Sequence, residues 1–250
     1  MKRSKLGPLA VFSLVREVRR GSGDQRPLAV GGARELLPII AKQLREGGDP
    51  AAVVEGRFEN AAALIWVGAP DEEVLRAADR AGVPIIAVTD ASEVPYVLAT
   101  DLVRVPPGQG FPIDAIARAV ARKLGEDGTA LAARLPSIRG AVCDELISSF
   151  SKKNAVIAAA VFIPGVDMPV LTLNQARLVL RLALAYGQEI DRERAVELLG
   201  VVGLGFGLRT VARELLDLVP VAGWAVKGAV AYAGTKAIGE AAVRYFEARA

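Results

Sequence analysis

Three short stretches hold the residue types that could do chemistry. Val30-Gly31-Gly32-Ala33-Arg34-Glu35 puts paired glycines directly after an apolar run, where a phosphate-binding turn would present backbone amides at a helix start. Thr89-Asp90-Ala91-Ser92 follows a second apolar run, and an aspartate at such a strand end can bind a base or cap the next turn. Asp71-Glu72-Glu73 opens a helical stretch, where carboxylates could hold a metal ion or simply complement the helix dipole. The glycine turn has neither the Gly-Lys-Ser/Thr that reaches terminal phosphates and magnesium nor three spaced glycines, and Glu35 puts an acid where a phosphate would lie. Gly31, Gly32, Thr89 and Asp90 are therefore the nucleotide-contact candidates, each set against an ordinary turn or cap. The acidic stretch reads as a solvated first turn rather than a metal site. Gly203-Leu204-Gly205-Phe206-Gly207 follows a helix with the wrong spacing, which fits close helix packing.

The residues that are missing exclude more. The 250-residue chain has no histidine and one cysteine, which removes His-based triads, imidazole metal sites, disulfides and thiolate zinc clusters. Cys143 lies in a helical-looking segment and reads as a buried structural thiol. No catalytic residue, metal ligand or cofactor is assigned.

Charge is partitioned along the chain. Residues 1–26 carry seven Lys/Arg against two acids, residues 27–150 carry 12 against 17, and residues 151–250 carry 12 against nine. Basic residues without interleaved aromatics give nucleic acid little to stack on. An anionic lipid surface suits them better. The apolar stretch from Leu6 to Val15 runs into Arg16-Glu17-Val18-Arg19-Arg20 without a small-residue cleavage site. It reads as an amphipathic helix, either packed on the body of the protein or lying on a membrane.

The elements that must position the candidates can be read in turn. From Pro27 to Gly125 short apolar runs alternate with amphipathic helices, the pattern of βαβ units around a parallel sheet, P-loop-like or Rossmann-like in class. Strands are expected at Leu28–Val30, Ala63–Val67, Pro84–Val88 and Leu102–Val105. Helices are expected at Arg34–Arg45, Glu72–Ala81 and Ile113–Leu124. Beyond Gly128 the strand signals stop and the chain reads as all-helical. Thr172-Leu173-Asn174-Gln175 fits a capping box for a helix to Tyr186, and Asp191 can cap a helix from Arg192 to Leu199 that Gly200 ends. Helices at Arg209–Leu218 and Ala225–Arg249 complete the set. The domain reading is a basic N-terminal segment at 1–26, an α/β domain at 27–128 and an apolar helical domain at 130–250.

Two windows invite a membrane test. Asn154 to Ala176 carries only Asp167 as a charge, and Leu218 to Thr235 only Lys227, so each approaches the roughly 20 residues that a span needs. Pro164-Gly165 and Pro169 break the first, and Pro220 with Gly223 breaks the second. A charge at mid-membrane would add about 2.5–3.5 kcal/mol. A compact bundle, free or surface-bound, competes with true spanning.

Leu135-Pro136-Ser137-Ile138-Arg139, the corner Phe162-Ile163-Pro164-Gly165-Val166-Asp167-Met168-Pro169 with Leu171 to Gln175, and Leu218-Val219-Pro220-Val221-Ala222-Gly223-Trp224 together carry a resemblance. Roughly residues 130–245 resemble the uncharacterised helical domain appended to some bacterial Era-like GTPases and found in an inner-membrane protein family. The resemblance makes Pro164, Gly165, Asp167, Pro169, Pro220 and Gly223 the family's corner residues, and it implies membrane association. It also places residues 27–126 where a GTPase domain would stand. Yet no Asp-x-x-Gly follows Val67, and Thr89-Asp90-Ala91-Ser92 replaces the guanine-reading Asn-Lys-x-Asp. The implied module is a pseudo-GTPase or an unrelated small α/β domain.

The functional expectation is a non-enzymatic protein with an α/β module and a helical domain that meets an anionic membrane surface or a protein partner, not nucleic acid. Glycine- and alanine-rich helices would allow oligomerisation. Its expected address is the cytoplasm, at the inner membrane. Two alternatives stand beside it: a nucleotide-binding protein with degenerate motifs, and a helical scaffold that never meets lipid.

Overall fold

Parallel strands buried on both faces are continuous apolar runs, and three such runs form the centre of the sheet. In the computed structural model, which describes residues 13–19, 23–105, 108, 110–160, 168–205 and 224–249, these are β1 (Leu28–Gly32), β3 (Ala63–Val67) and β4 (Ile85–Thr89). β2 (Val53–Glu55) and β5 (Leu102–Arg104) are the short edges of a five-stranded sheet of order β2-β1-β3-β4-β5. Every pairing is parallel. This is the flavodoxin-type doubly wound order, with its switch point between β1 and β3. Short charged edges limit edge-to-edge association. At one edge Arg45 donates to the Val53 carbonyl at 2.8 Å and pairs with Glu55 at 3.1 Å.

The chain divides into two compact units, Gly23–Glu145 and Met1–Ser22 with Leu146–Ala250. In the first, α2 (Leu37–Arg45) links β1 to β2, α3 (Glu72–Arg80) links β3 to β4, and α4 (Ile113–Leu124) packs on β4 and β5. The two crossovers run in opposite directions along the sheet, and right-handed connections then place α2 and α3 on opposite faces. On the α3 face Leu75 and Ala78 pack on Ala29, Leu64, Trp66, Ile85 and Ala87, and Phe58 from the β2–β3 loop closes the same cluster. Each large apolar side chain fully buried in this way contributes about 1.5–3 kcal/mol. After α4 the short helix α5 (Gly128–Arg134) and the start of α6 (Pro136–Ala160) complete the unit. Arg134 pairs with Asp49 at 3.0 Å and donates to the Gln25 carbonyl at 2.9 Å. A Cβ at Gly48 would lie 2.5 Å from the Arg134 carbonyl, so only glycine admits this approach.

Several expectations need correction. β2 went unread because three residues give no periodicity. β1 runs past the expected end at Val30 to include Gly31 and Gly32, so the turn falls later and α2 opens at Leu37, not Arg34. The run at Pro84 begins as strand at Ile85.

In the second unit, residues 13–19 form α1, and α7 (Met168–Ala185), α8 (Arg192–Gly205) and α9 (Trp224–Glu247) follow the rest of α6. α7 opens at Met168, ahead of the expected capping box, so Thr172 lies within the helix. Pro169 falls in the first turn, where a missing N–H goes unmissed. Asp191 does cap α8, accepting the Arg194 amide at 2.7 Å, but the helix continues through Gly200 to Gly205. The expected helix Arg209–Leu218 and the corner residues Pro164, Gly165, Asp167, Pro220 and Gly223 lie outside the described residues.

Small residues let α9 approach α6 closely. A Cβ at Gly239 would lie 2.6 Å from Ile147 Cγ1, and one at Gly228 would lie 3.1 Å from the Ala155 carbonyl. Between these two contacts the core is polar. Buried Asn154 donates to Thr235 Oγ1 at 2.9 Å and accepts from Asn174 Nδ2 at 2.9 Å. Gln175 also reaches Thr235 Oγ1, at 3.4 Å. Three helices are thereby held in one register, because a slip would strand buried amides without partners. No described helix is long and apolar enough to cross a membrane.

Candidate functional site

In doubly wound folds ligands bind beyond the carboxyl ends of the strands, at the switch point. Here that place is the turn from Gly32 to Leu36 together with Gly68 to Asp71. Gly32 has φ +115°, and a Cβ there would sit 2.0 Å from the Val67 carbonyl oxygen. The Ala33 amide donates to that same carbonyl at 2.9 Å, and the Gly68 amide donates to the Val88 carbonyl at 2.9 Å. The strand ends are sewn to one another by the very amides that a phosphate loop leaves pointing at its ligand. Leu36 caps α2 without a side-chain bond, and Pro38 occupies the first turn. One of the amides that an anion would use at this helix start is therefore absent. Glu35 adds a negative charge beside it.

Trp66 covers one side of the same turn. Its ring edge lies 3.2 Å from where a Gly31 Cβ would stand, and its Nε1 donates to the Ala69 carbonyl at 2.8 Å. Gly31 is thus explained by the indole that crosses β1. A ligand plane packing there would have to displace Trp66, which is 8% exposed.

Thr89 and Asp90 do lie at the carboxyl edge, at the end of β4. β3 stands between β4 and β1, so Thr89 and Gly32 are about 10 Å apart across two strand spacings. Thr89 is buried and its Oγ1 accepts the Ala91 amide at 3.2 Å. Thr89, not Asp90, closes this turn, and exposed Asp90 points its charge outward from it. The four candidates share an edge but do not converge on one volume.

At the start of α3, Asp71 Oδ1 accepts the amides of Glu73 and Val74 at 3.1 and 3.2 Å, and Glu72 pairs with Arg76. Arg76 also donates to the Tyr96 hydroxyl at 2.9 Å. The hydroxyl and the carboxylate, in that order, raise the guanidinium pKa. The acidic stretch is a capped first turn. Among the described residues no group of His, Cys, Asp or Glu could hold a metal ion. Cys143 is buried.

Sequence reasoning passed over the amide network of the helical unit. Asn154 and Asn174 were visible as uncharged polar residues in apolar helices, but counting charges for a membrane test hides amides. The network also reaches the surface. Arg177 Nη1 donates to Asn174 Oδ1 at 3.1 Å, and its Nη2 pairs with Glu17 of α1 at 3.0 Å. In α1, Leu14, Val15 and Val18 are buried while Arg16, Glu17 and Arg19 face outward.

No curated protein and no solved structure matches the chain. Residues 122–250 match a family described as a domain of unknown function, DUF697. That stretch begins at the end of α4, takes in every later helix and exceeds half of the chain, which therefore belongs to the DUF697 family.

Proposed function

We propose that this protein is a non-enzymatic binding protein whose helical unit associates peripherally with an anionic membrane surface at the cytoplasmic face. The observation that carries the reading is α1, an amphipathic helix that turns Arg16 and Arg19 outward. It belongs to a unit none of whose described helices can span a bilayer. Basic side chains near an anionic surface contribute about 1 kcal/mol each and are screened by salt. The basic residues Lys2, Arg3 and Lys5 of the same segment add to this charge. The buried Asn154–Asn174–Thr235 network supports a bundle that stays folded at the surface, since opening it toward lipid would leave buried amides unpaired.

The place of residues 27–121 ahead of the matched stretch, together with the resemblance read from the sequence, supports a pseudo-GTPase-like origin for the α/β unit. Its role in this reading is contact with a protein partner. Glycine contacts like those between α6 and α9 would serve helices from a second copy equally well. The flavodoxin-type switch point favours a second reading, a nucleotide-binding protein with degenerate motifs. The closed Ala33–Val67 turn weighs against it.

Sedimentation of the full chain with vesicles of phosphatidylglycerol and phosphatidylcholine, and with phosphatidylcholine alone, tests the first reading. Binding only to the anionic vesicles, partly reversed by salt, is the expected result. Indifference to both would overturn it. Equilibrium titration with GTP and ATP tests the second reading.

A further inference from the structure

α1 presents a contradiction if it is to be more than an electrostatic contact. A helix that lies in a membrane interface buries its apolar face in the acyl boundary, yet Leu14, Val15 and Val18 are already buried in the protein. The same side chains cannot serve both surfaces at once. The outward face is tied by the ion pair of Glu17 with Arg177 at 3.0 Å, with side chains 46% and 29% exposed. An ion pair that open to water is weak and salt-sensitive. Behind α1 the sequence continues as Gly21-Ser22-Gly23, the composition of a linker.

We propose that α1 is a releasable clasp: its Leu14-Val15-Val18 face is exchanged between the helical unit and an anionic lipid surface, and the Glu17–Arg177 pair biases it toward the docked state. The proposal rests on the peripheral-membrane reading above and adds its regulation. While α1 is docked, lipid sees only its arginines, so binding is loose and fully reversed by salt. When α1 is released, the apolar face enters the interface and part of the binding survives salt. The apparent affinity for vesicles is the intrinsic affinity of the released helix reduced by the released fraction. Anything that weakens docking must therefore strengthen membrane binding.

Arg177→Gln separates this from simple electrostatics by sign. It removes a positive charge from the body of the protein, which by charge alone weakens binding to anionic vesicles. It also removes the partner of Glu17, which by the clasp strengthens binding about 1.4- to five-fold, the range of an exposed ion pair. The second variant carries Glu17→Cys and Arg177→Cys joined by a short bis-maleimide, which locks α1 down. The experiment is sedimentation of full-length wild type, Arg177→Gln and the cross-linked protein with phosphatidylglycerol-containing vesicles at low and high salt. Amide exchange of residues 13–19 is followed in parallel.

The expected result is tighter binding and faster exchange in α1 for Arg177→Gln, and loss of the salt-resistant fraction in the locked protein. If wild type binds but Arg177→Gln binds no better, or the locked protein keeps its salt-resistant fraction, the clasp is wrong and the peripheral reading stands. If none of the three proteins binds, both fall.

Discussion

The Ala33 amide and the Val67 carbonyl, 2.9 Å apart, join the ends of β1 and β3 at the point where a doubly wound sheet would open to a ligand. A phosphate at this turn would have to break that bond, meet Glu35, and do without an amide from Pro38. The full chain is therefore expected to show no magnesium-dependent GTP or ATP turnover, since nothing here takes the place of the lysine and hydroxyl that hold the terminal phosphate and metal. Phosphate release that is lost on Gly32→Ala or Asp90→Asn would contradict this.

The same closure makes two glycines differ sharply. Gly32→Ala places a Cβ 2.0 Å from backbone oxygen at φ +115°, and is expected to destabilise the α/β unit by about 3 kcal/mol or more. Gly82→Ala meets nothing within 4 Å at φ +67° and should lose only the left-handed backbone term, about 1–2 kcal/mol. Urea denaturation followed by Trp66 emission in a Trp224→Phe background compares the two. Equal losses would mean that the Gly32 turn can relax.

These two positions also show how far the sequence could be read. Ala63–Val67 and Ile113–Leu124 were legible end to end: a strand buried on both faces is an unbroken apolar run, and a helix against a sheet repeats at its own period. The paired glycines were legible as a turn but not as the last two residues of β1. Their meaning depends on Val67, 35 positions away from Gly32 in the chain, and on Trp66 crossing β1. Local signals misplaced the start of α7, because a proline read as an interruption instead occupies a first turn. The amide network was illegible for a like reason: Asn154, Asn174 and Thr235 become one feature only after three helices bring them together.

That network should be measurable as coupled stability. Thr235→Val keeps the shape but leaves the buried Asn154 amide without its acceptor, and should cost about 1–3 kcal/mol. Thr235→Ser should recover most of the loss. Thermal melts of the two variants decide the matter, and a Val variant as stable as the Ser variant would show that the amide finds another partner.

Asp49 supplies a test in pH. Its carboxyl is held below the usual carboxylate range, chiefly by the Ala51 amide and next by Arg134. A folded-state value below the unfolded one, about 3.9, means that the ionised group stabilises the fold above that pH and ceases to do so as pH falls through the folded value. Wild type should therefore be more stable than Asp49→Ala at neutral pH, and the gap should narrow in acid. Denaturation midpoints from pH 7 to pH 3 check this. A gap independent of pH would assign Asp49 a purely neutral capping role.

Fractionation of cells expressing the full-length chain tests the central claim most directly. Peripheral association through basic side chains predicts that the protein pellets with membranes at low salt and is partly released by high salt. Recovery in the supernatant at low salt would contradict it, and retention through both high salt and alkaline extraction would instead show helices that cross the bilayer.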